Sequence, residues 1–154
     1  MKKPFMLVLF ISCIMGFSCS SNETAGDSSK KTAVQNSYSA EEKESISIAQ
    51  SWLSLIDNEN YEKSWDESAK IFQNSISKDQ WTATIKNVRS NFGKLLEREI
   101  ASASFTTSLP GTPDGEYVVI RFNSKFEKKE HAVETITPMK DVDGKWRVSG
   151  YFIN

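Results

Sequence analysis

Residues 77–109, SKDQWTATIKNVRSNFGKLLEREIASASFTTSL, contain the point at which helical spacing gives way to strand spacing. Four apolar residues of this stretch recur at steps of four, three and four, as on one helix face: Trp81, Ile85, Val88 and Phe92. Ser77 and Gln80 have the spacing of a capping box, and Gly93 stands where a C-cap glycine would. The next residues, Leu95–Leu109, are rich in β-forming types. The sequence therefore predicts a helix that leads directly into the first strand of a sheet.

Two further helices are predicted upstream of this stretch. Ser39 and Glu42 form a second capping-box pair, and a helical apolar face follows it: Ile46, Ala49, Leu53 and Ile56. The polar run Asp57–Asn60 ends that helix. The next helix carries its large side chains on one side: Tyr61, Trp65, Ala69 and Phe72. The first half of the domain is thus predicted to contain three helices.

The residues downstream have the pattern of strands joined by turns. Residues 110–115, PGTPDG, are a concentrated turn signal. Tyr117–Phe126 alternates between apolar and polar residues, and Val133–Val142 is a further strand candidate. Asp143-Gly144 is a strong hairpin dipeptide, after which Trp146–Ile153 forms the last strand. Three helices followed by four antiparallel strands predict an α+β fold with the helices on one face of a curved sheet.

The amino terminus has the pattern of an export signal. Lys2 and Lys3 precede an apolar run of 13 residues, Phe5–Phe17. A helix that spans a membrane needs about 20 apolar residues, so a secretory signal is favoured over a transmembrane helix. Cys19 directly after Ser18 predicts a lipoprotein signal at residues 1–18, with Cys19 as the acylated first residue of the mature chain. Cys13 is the rival site, and without lipidation Cys19 would be a free thiol of a secreted protein.

The remaining chain divides into a tether and one domain. Residues 19–39 are rich in serine and contain almost nothing large and apolar, which is typical of a flexible linker. Residues 40–154 have the length of a single domain. Without Lys2 and Lys3, 17 basic and 20 acidic residues remain. This mild acidity argues against nucleic acid as a partner.

The sequence offers little for metal, cofactor or nucleophilic chemistry. The chain has one histidine, His131, which we expect in a solvated turn, and its two cysteines lie in the amino-terminal segment. No pair of residues has the spacing of a zinc site. No Gly-x-Ser-x-Gly sequence and no glycine-rich phosphate loop occurs. We therefore expect no metal and no cofactor.

Six residues are candidates for a ligand site or for ion pairs: Arg89, Arg98, Glu116, Glu134, Trp146 and Tyr151. Glu116 and Glu134 lie on neighbouring predicted strands and could converge as an acid–base pair. The favoured alternative is that these glutamates form cross-strand ion pairs with Arg121 or Arg147. For Arg89 and Arg98, an ion pair with a carboxylate of the sheet is favoured over binding a ligand.

Trp146 and Tyr151 are separated by an odd number of positions along the last predicted strand. Strand parity therefore places them on opposite faces, so that at most one of them faces the helices. The other is a candidate interface residue.

The domain resembles the bacterial domain-of-unknown-function 4019 family over nearly all of residues 40–154. The resemblance is carried by AQSWL at 49–53, LID at 55–57, Tyr61, Ser64-Trp65, Trp81, Arg89, Gly93, Arg98, LPG at 109–111, PDGEY at 113–117, Phe126, Glu134-Thr135 and DGKWRVSGY at 143–151. The resemblance implies a small exported protein but no activity. The order of helices and strands is similar to the cystatin-like and nuclear-transport-factor-2-like architectures, and a fold likeness does not carry function.

These observations favour a non-enzymatic binding or interaction module of the bacterial cell envelope, anchored to a membrane through lipid on Cys19. Ser20 after that cysteine favours an outer membrane if the organism has one. The partner is expected to be an envelope protein or a small ligand. The alternatives are a small enzyme that uses Glu116 and Glu134 in a sheet cavity, and a structural homodimer joined by the outer sheet face.

Overall fold

The computed structural model describes residues 38–154, and these confirm the α+β fold class. The described helices are α1 (Ala40–Asp57), α2 (Tyr61–Asp66), α3 (Lys70–Ser75) and α4 (Lys78–Phe92). They are followed by the strands β1 (Leu95–Thr106), β2 (Tyr117–Phe126), β3 (Lys129–Lys140) and β4 (Trp146–Ile153). The strands form one antiparallel sheet in the order β1-β2-β3-β4, which is also their order in the chain.

Several predictions concern residues outside the described range. The signal peptide at 1–18, the lipidated Cys19 and the tether up to residue 37 all lie there. Within residues 38–154, no helix combines the length and apolar character needed to cross a membrane.

Helices α1 and α4 begin where their capping boxes were predicted. The Ser39 backbone N–H donates to a Glu42 carboxylate oxygen at 2.9 Å, and the Glu42 N–H donates to the Ser39 hydroxyl at 3.2 Å. Ser77 and Gln80 form the equivalent pair at the start of α4. Because each box satisfies two backbone donors that a helix start leaves free, it fixes the residue at which the helix begins.

The prediction of one helix through Tyr61 and Phe72 is wrong, because this segment forms the two short helices α2 and α3. Ala69 between them is extended, with φ −62° and ψ 153°. Its N–H donates to the Val148 carbonyl of β4 at 2.8 Å instead of to a carbonyl within the helix. The break therefore replaces a local hydrogen bond with one that joins the helical layer to the sheet.

The core lies between the helices and one face of the sheet. From the helices it receives mainly Trp52, Leu53 and Ile56, and from the strands Ile120 and Ile136. Three tryptophans place their polar N–H groups on hydrogen-bond acceptors, as buried tryptophans require. Trp52 donates to the Ser64 carbonyl at 2.8 Å, Trp81 donates to the Ser64 hydroxyl at 2.9 Å, and Trp65 donates to the Ile76 carbonyl at 2.9 Å. The buried Ser64 thus ties α1, α2 and α4 together.

The prediction that Trp146 and Tyr151 lie on opposite faces is wrong. The pairing of β3 with β4 shifts between Thr137, which pairs with Gly150, and Pro138, which pairs with Val148. This β-bulge adds one residue to β4 and so reverses the alternation of its side chains. Both Trp146 and Tyr151 therefore face the helices.

Candidate functional site

Four charged side chains from different elements meet beneath the helical layer. Asp57 is the last residue of α1, and Arg89 lies in the last turn of α4. Arg98 comes from β1 and Glu134 from β3. We call these four residues the buried charge cluster. It contains two positive and two negative groups, so its formal charges balance.

Glu134 is the most deeply buried member of the cluster, with no exposed surface. One of its oxygens accepts from the Arg98 Nε at 2.6 Å and from the Ser124 hydroxyl at 2.5 Å. The other oxygen accepts from the Arg98 Nη2 at 3.0 Å and from the Tyr151 hydroxyl at 2.6 Å. Four donors thus occupy this carboxylate, which is the compensation that a buried charge needs.

Arg98 links the two carboxylates through the planar fork of its guanidinium. It donates to Asp57 through Nη1 at 2.6 Å and through Nη2 at 3.0 Å, besides its bonds to Glu134. Burial by itself would lower the pKa of Arg98, but the hydrogen bonds to Asp57 and Glu134 outweigh burial and raise that pKa further above its ordinary value. Arg98 therefore stays charged and holds α1 to β1 and β3.

Arg89 is the second buried cation, with 6% of its side chain exposed. Its Nη2 donates to Asp57 at 2.8 Å, and its guanidinium carbon lies 4.5 Å from the centre of the Phe126 ring. Its Nη1 lies 3.5 Å from Glu134 and has no hydrogen-bond partner among residues 38–154. Arg89 thus balances charge and stacks on an aromatic ring, while one of its donors is left unused.

Tyr151 closes the cluster from β4. Its hydroxyl donates to Glu134, and its ring packs 5.5 Å from that of Trp52. Burial, the nearby Glu134 charge and the hydrogen bond to Glu134 raise the pKa of Tyr151 well above the ordinary value of 10.0. The folded protein therefore holds the phenol proton more tightly than the unfolded chain does.

The variant Tyr151→Phe is expected to lower the free energy of unfolding by about 1.5–3 kcal/mol at pH 7, because Glu134 loses a donor. A raised folded-state pKa contributes stability that is fully present below pH 10 and is lost as pH rises above it. The variant should therefore lose less stability than the wild type between pH 9 and 11. Urea unfolding across this range measures both effects. Tyr38→Phe is the control for the lost hydrogen bond at pH 7, since the Tyr38 hydroxyl bonds to no carboxylate among residues 38–154. Equal pH slopes in the wild type and Tyr151→Phe would contradict the prediction.

Of the six candidate residues, the structure brings Arg89, Arg98, Glu134 and Tyr151 together and leaves out Glu116 and Trp146. Glu116 forms a partly exposed ion pair with Lys140 at 2.8 Å. The expected pairs with Arg121 or Arg147 are wrong for both glutamates, because Glu134 binds Arg98 and Arg147 binds Asp143. Trp146 is buried in the core and is not an interface residue.

The sequence reasoning missed Asp57 and Ser124 as members of this site. The polar run Asp57–Asn60 predicts only the end of α1, although Asp57 follows Leu53 by four residues and so extends the apolar face of that helix. Ser124 lies between Phe122 and Phe126 at alternate positions, which marks it as facing the core. A polar residue at a core-facing position signals a buried partner, and that signal was present at both sites.

Asp57 is the most exposed member of the cluster, followed by Arg98. Asp57 is 19% exposed and lines a cavity of about 300 Å³ together with Arg89, Lys86, Lys94 and Glu127. Among residues 38–154, no three histidine, cysteine or acidic residues are placed to hold a metal ion. His131 is exposed and lies within β3 rather than in the predicted turn.

A second concavity lies on the outer face of the sheet, away from the helices. It has a volume of about 730 Å³ and is lined by residues of both charges, including Glu97, Lys125, Lys129 and His131. None of the four charged cluster residues lines it, but Ser124, which donates to Glu134, does. The outer face therefore offers a second surface besides the cavity at Asp57.

The comparisons with known proteins identify a family and no function. No curated protein matches the chain. Residues 48–151 match the family described as protein of unknown function (DUF4019), and this span holds all four residues of the buried charge cluster. By this match over about two thirds of its length, the chain belongs to the DUF4019 family.

Proposed function

We propose that the protein is a membrane-anchored lipoprotein of the bacterial cell envelope whose domain binds a partner without catalysing a reaction. The observation that supports a role without catalysis is that hydrogen-bond donors already occupy both carboxylate oxygens of Glu134. Each of its oxygens accepts two hydrogen bonds, and the carboxylate has no exposed surface. A general base must reach the proton that it removes, so a carboxylate with these contacts is poorly suited to the task.

The alternative of a carboxylate enzyme is supported by one feature, the burial of Glu134 beside Arg98 and Tyr151. The second carboxylate of that hypothesis is far away. Glu116 pairs with Lys140, which follows Glu134 by six residues along β3, a separation of about 20 Å. Pairs of catalytic carboxylates in glycosidases lie about 5–10 Å apart. A two-carboxylate mechanism would therefore need a different partner for Glu134, and the cluster is better suited to holding α1, α4 and the sheet together.

The anchoring part of the proposal is supported by the signal pattern before Cys19 and by the polar segment after it. Two or more acyl chains hold a protein on a membrane, whereas a single chain binds only marginally. With its domain tethered in this way, the protein would present its surfaces to other envelope components.

The variant Cys19→Ser is expected to lose incorporation of labelled palmitate and to leave the lipid-modified membrane fraction. Cys13→Ser is the matched control, since that residue lies within the apolar run and should be removed with the signal. Cell fractionation and fatty-acid labelling of both variants measure the effect. Labelling that persists in Cys19→Ser would overturn the anchor.

The binding role is tested separately by native mass spectrometry of the chain released from its membrane, together with crosslinking in intact cells. A bound mass would identify a small ligand, and a crosslinked envelope protein would identify a partner. Recovery of neither would count against a binding module.

A further inference from the structure

The two edges of the sheet differ in how well their backbone groups are covered. Edge β1 is interrupted by two irregularities in its pairing with β2. The Phe105 N–H of this edge also donates to the Glu42 carboxylate at 3.1 Å. On edge β4, the Val148 carbonyl accepts from the Ala69 N–H at 2.8 Å. Bulges and covering groups of this kind are how proteins keep sheet edges from pairing with other chains.

The second half of β4 has no such cover. Val133 and Asn154 exchange two backbone hydrogen bonds, at 3.0 and 3.2 Å, so the N–H and C=O of Asn154 point toward β3. The direction of the backbone N–H and C=O groups alternates along a strand. The N–H and C=O groups of Tyr151 and Ile153 therefore point away from the sheet. No residue between 38 and 154 bonds to these outward groups.

A large apolar side chain lies between the two open positions. Phe152 is opposite Thr135 on the outer face and is 57% exposed. Val133, the other partly exposed apolar residue nearby, lies two residues from Thr135 along β3 and so on the same face. The segment Gly150–Asn154 contains no charged side chain. Two copies of this segment could therefore meet without bringing like-charged side chains together.

We propose that β4 pairs antiparallel with β4 of a second copy of this chain, centred on Phe152. In this register Tyr151 of each copy faces Ile153 of the other, and the outward groups form four backbone hydrogen bonds. Both Phe152 side chains then lie on the two-fold axis as a non-hydrogen-bonded pair with Cα atoms about 4.5 Å apart. The two sheets become one continuous sheet of eight strands with an isologous interface.

The covered half of the edge is compatible with this register. The paired segment Gly150–Asn154 stops short of Val148, so the Ala69 N–H keeps its acceptor. A contact of five residues a side is smaller than the roughly 1,200 Å² of a standard stable interface, so the dimer is expected to be weak and concentration-dependent. Confinement of the chains to a membrane would raise the fraction that is dimeric. That point alone rests on the proposed lipid anchor.

The first test is disulfide crosslinking of the full chain in intact cells. Phe152→Cys is expected to give a disulfide-linked band at twice the mass of the mature chain, because its Cα–Cα distance across the axis suits a disulfide. Val142→Cys is the matched control, since Val142 is 99% exposed at the tip of the β3–β4 turn, away from the paired segment. The wild type reports the background from Cys13 and Cys19. Equal dimer bands from both variants, or linkage of residue 152 to a different protein, would overturn pairing between copies.

The second test is sedimentation of the full chain in detergent over a range of concentrations. Phe152→Glu places two like charges on the axis and should abolish the concentration-dependent doubling of mass. Val142→Glu adds the same charge to an exposed site and should leave the doubling intact. Phe152 is exposed, so its replacement should not unfold the domain, and circular dichroism checks this. A wild type that stays monomeric at every concentration, without crosslinking through residue 152, would refute the proposal.

Discussion

Replacing Arg98 with methionine is expected to lower the free energy of unfolding by about 3–5 kcal/mol, the cost of removing one partner of a buried ion pair. The variant removes four hydrogen bonds, two to Asp57 and two to Glu134. Glu134 would keep its hydroxyl donors, but its nearest cation would be Arg89 at 3.5 Å without a hydrogen bond. A fully buried carboxylate would thus lose its principal counter-charge.

The double variant Arg98→Met/Glu134→Leu distinguishes two causes of a loss of stability in Arg98→Met, an unpaired buried charge and poorer packing. The double variant has an apolar residue in place of each partner, so it leaves no unpaired carboxylate at position 134. It should therefore be more stable than Arg98→Met alone. Arg147→Met is the surface control, because its pair with Asp143 is partly exposed and worth about 0–1 kcal/mol. Urea unfolding of the four proteins measures these differences. A loss below about 1 kcal/mol for Arg98→Met would show that the cluster is not needed for stability.

The elements predicted correctly are those whose ends are set by nearby residues. The capping boxes at Ser39 and Ser77 fixed the starts of α1 and α4, because their hydrogen bonds span three residues. The break between α2 and α3 could not be predicted in this way. It depends on a bond from Ala69 to Val148, which lies in the last strand of the sheet.

Four of the six candidate residues lie in the site, and the expected pairing of an arginine with a carboxylate of the sheet is confirmed by Arg98 and Glu134, but which arginine meets which carboxylate could not be predicted. Glu134 alternates with Ala132 and Ile136, so its core-facing position is visible in the sequence. Its counter-charge comes from Arg98 on a strand that is not adjacent to β3, and strand spacing says nothing of contacts across an intervening strand. The prediction that Trp146 and Tyr151 lie on opposite faces fails for a related reason, because the bulge in β4 shifts the side-chain alternation by one residue.

The variant Trp52→Ala is expected to lower the free energy of unfolding by about 3–5 kcal/mol, as large-to-small changes of buried aromatic residues do. Trp52 is only 2% exposed, and its ring lies 5.8 Å from that of Trp81 and 5.5 Å from that of Tyr151. The cavity would open where α1, α4 and β4 meet. Trp52→Phe is the matched control, because it keeps an aromatic ring and loses mainly the donor to Ser64 and Ser68, at about 1 kcal/mol.

The position of Trp52 also predicts that the aromatic core and the buried charge cluster are energetically coupled. Its ring supports the Tyr151 ring, whose hydroxyl donates to Glu134. In Trp52→Ala, a cavity beside Tyr151 would let the Tyr151 ring move and would weaken its hydrogen bond to Glu134. The second substitution, Tyr151→Phe, would then remove a hydrogen bond that is already weakened. The losses in Trp52→Ala and Tyr151→Phe should then be non-additive by about 0.5–3 kcal/mol in the double variant, as for residues in contact. Urea unfolding of the two single variants and the double variant measures the coupling. Strict additivity would mean that Trp52 fills space without positioning the donor that holds Glu134.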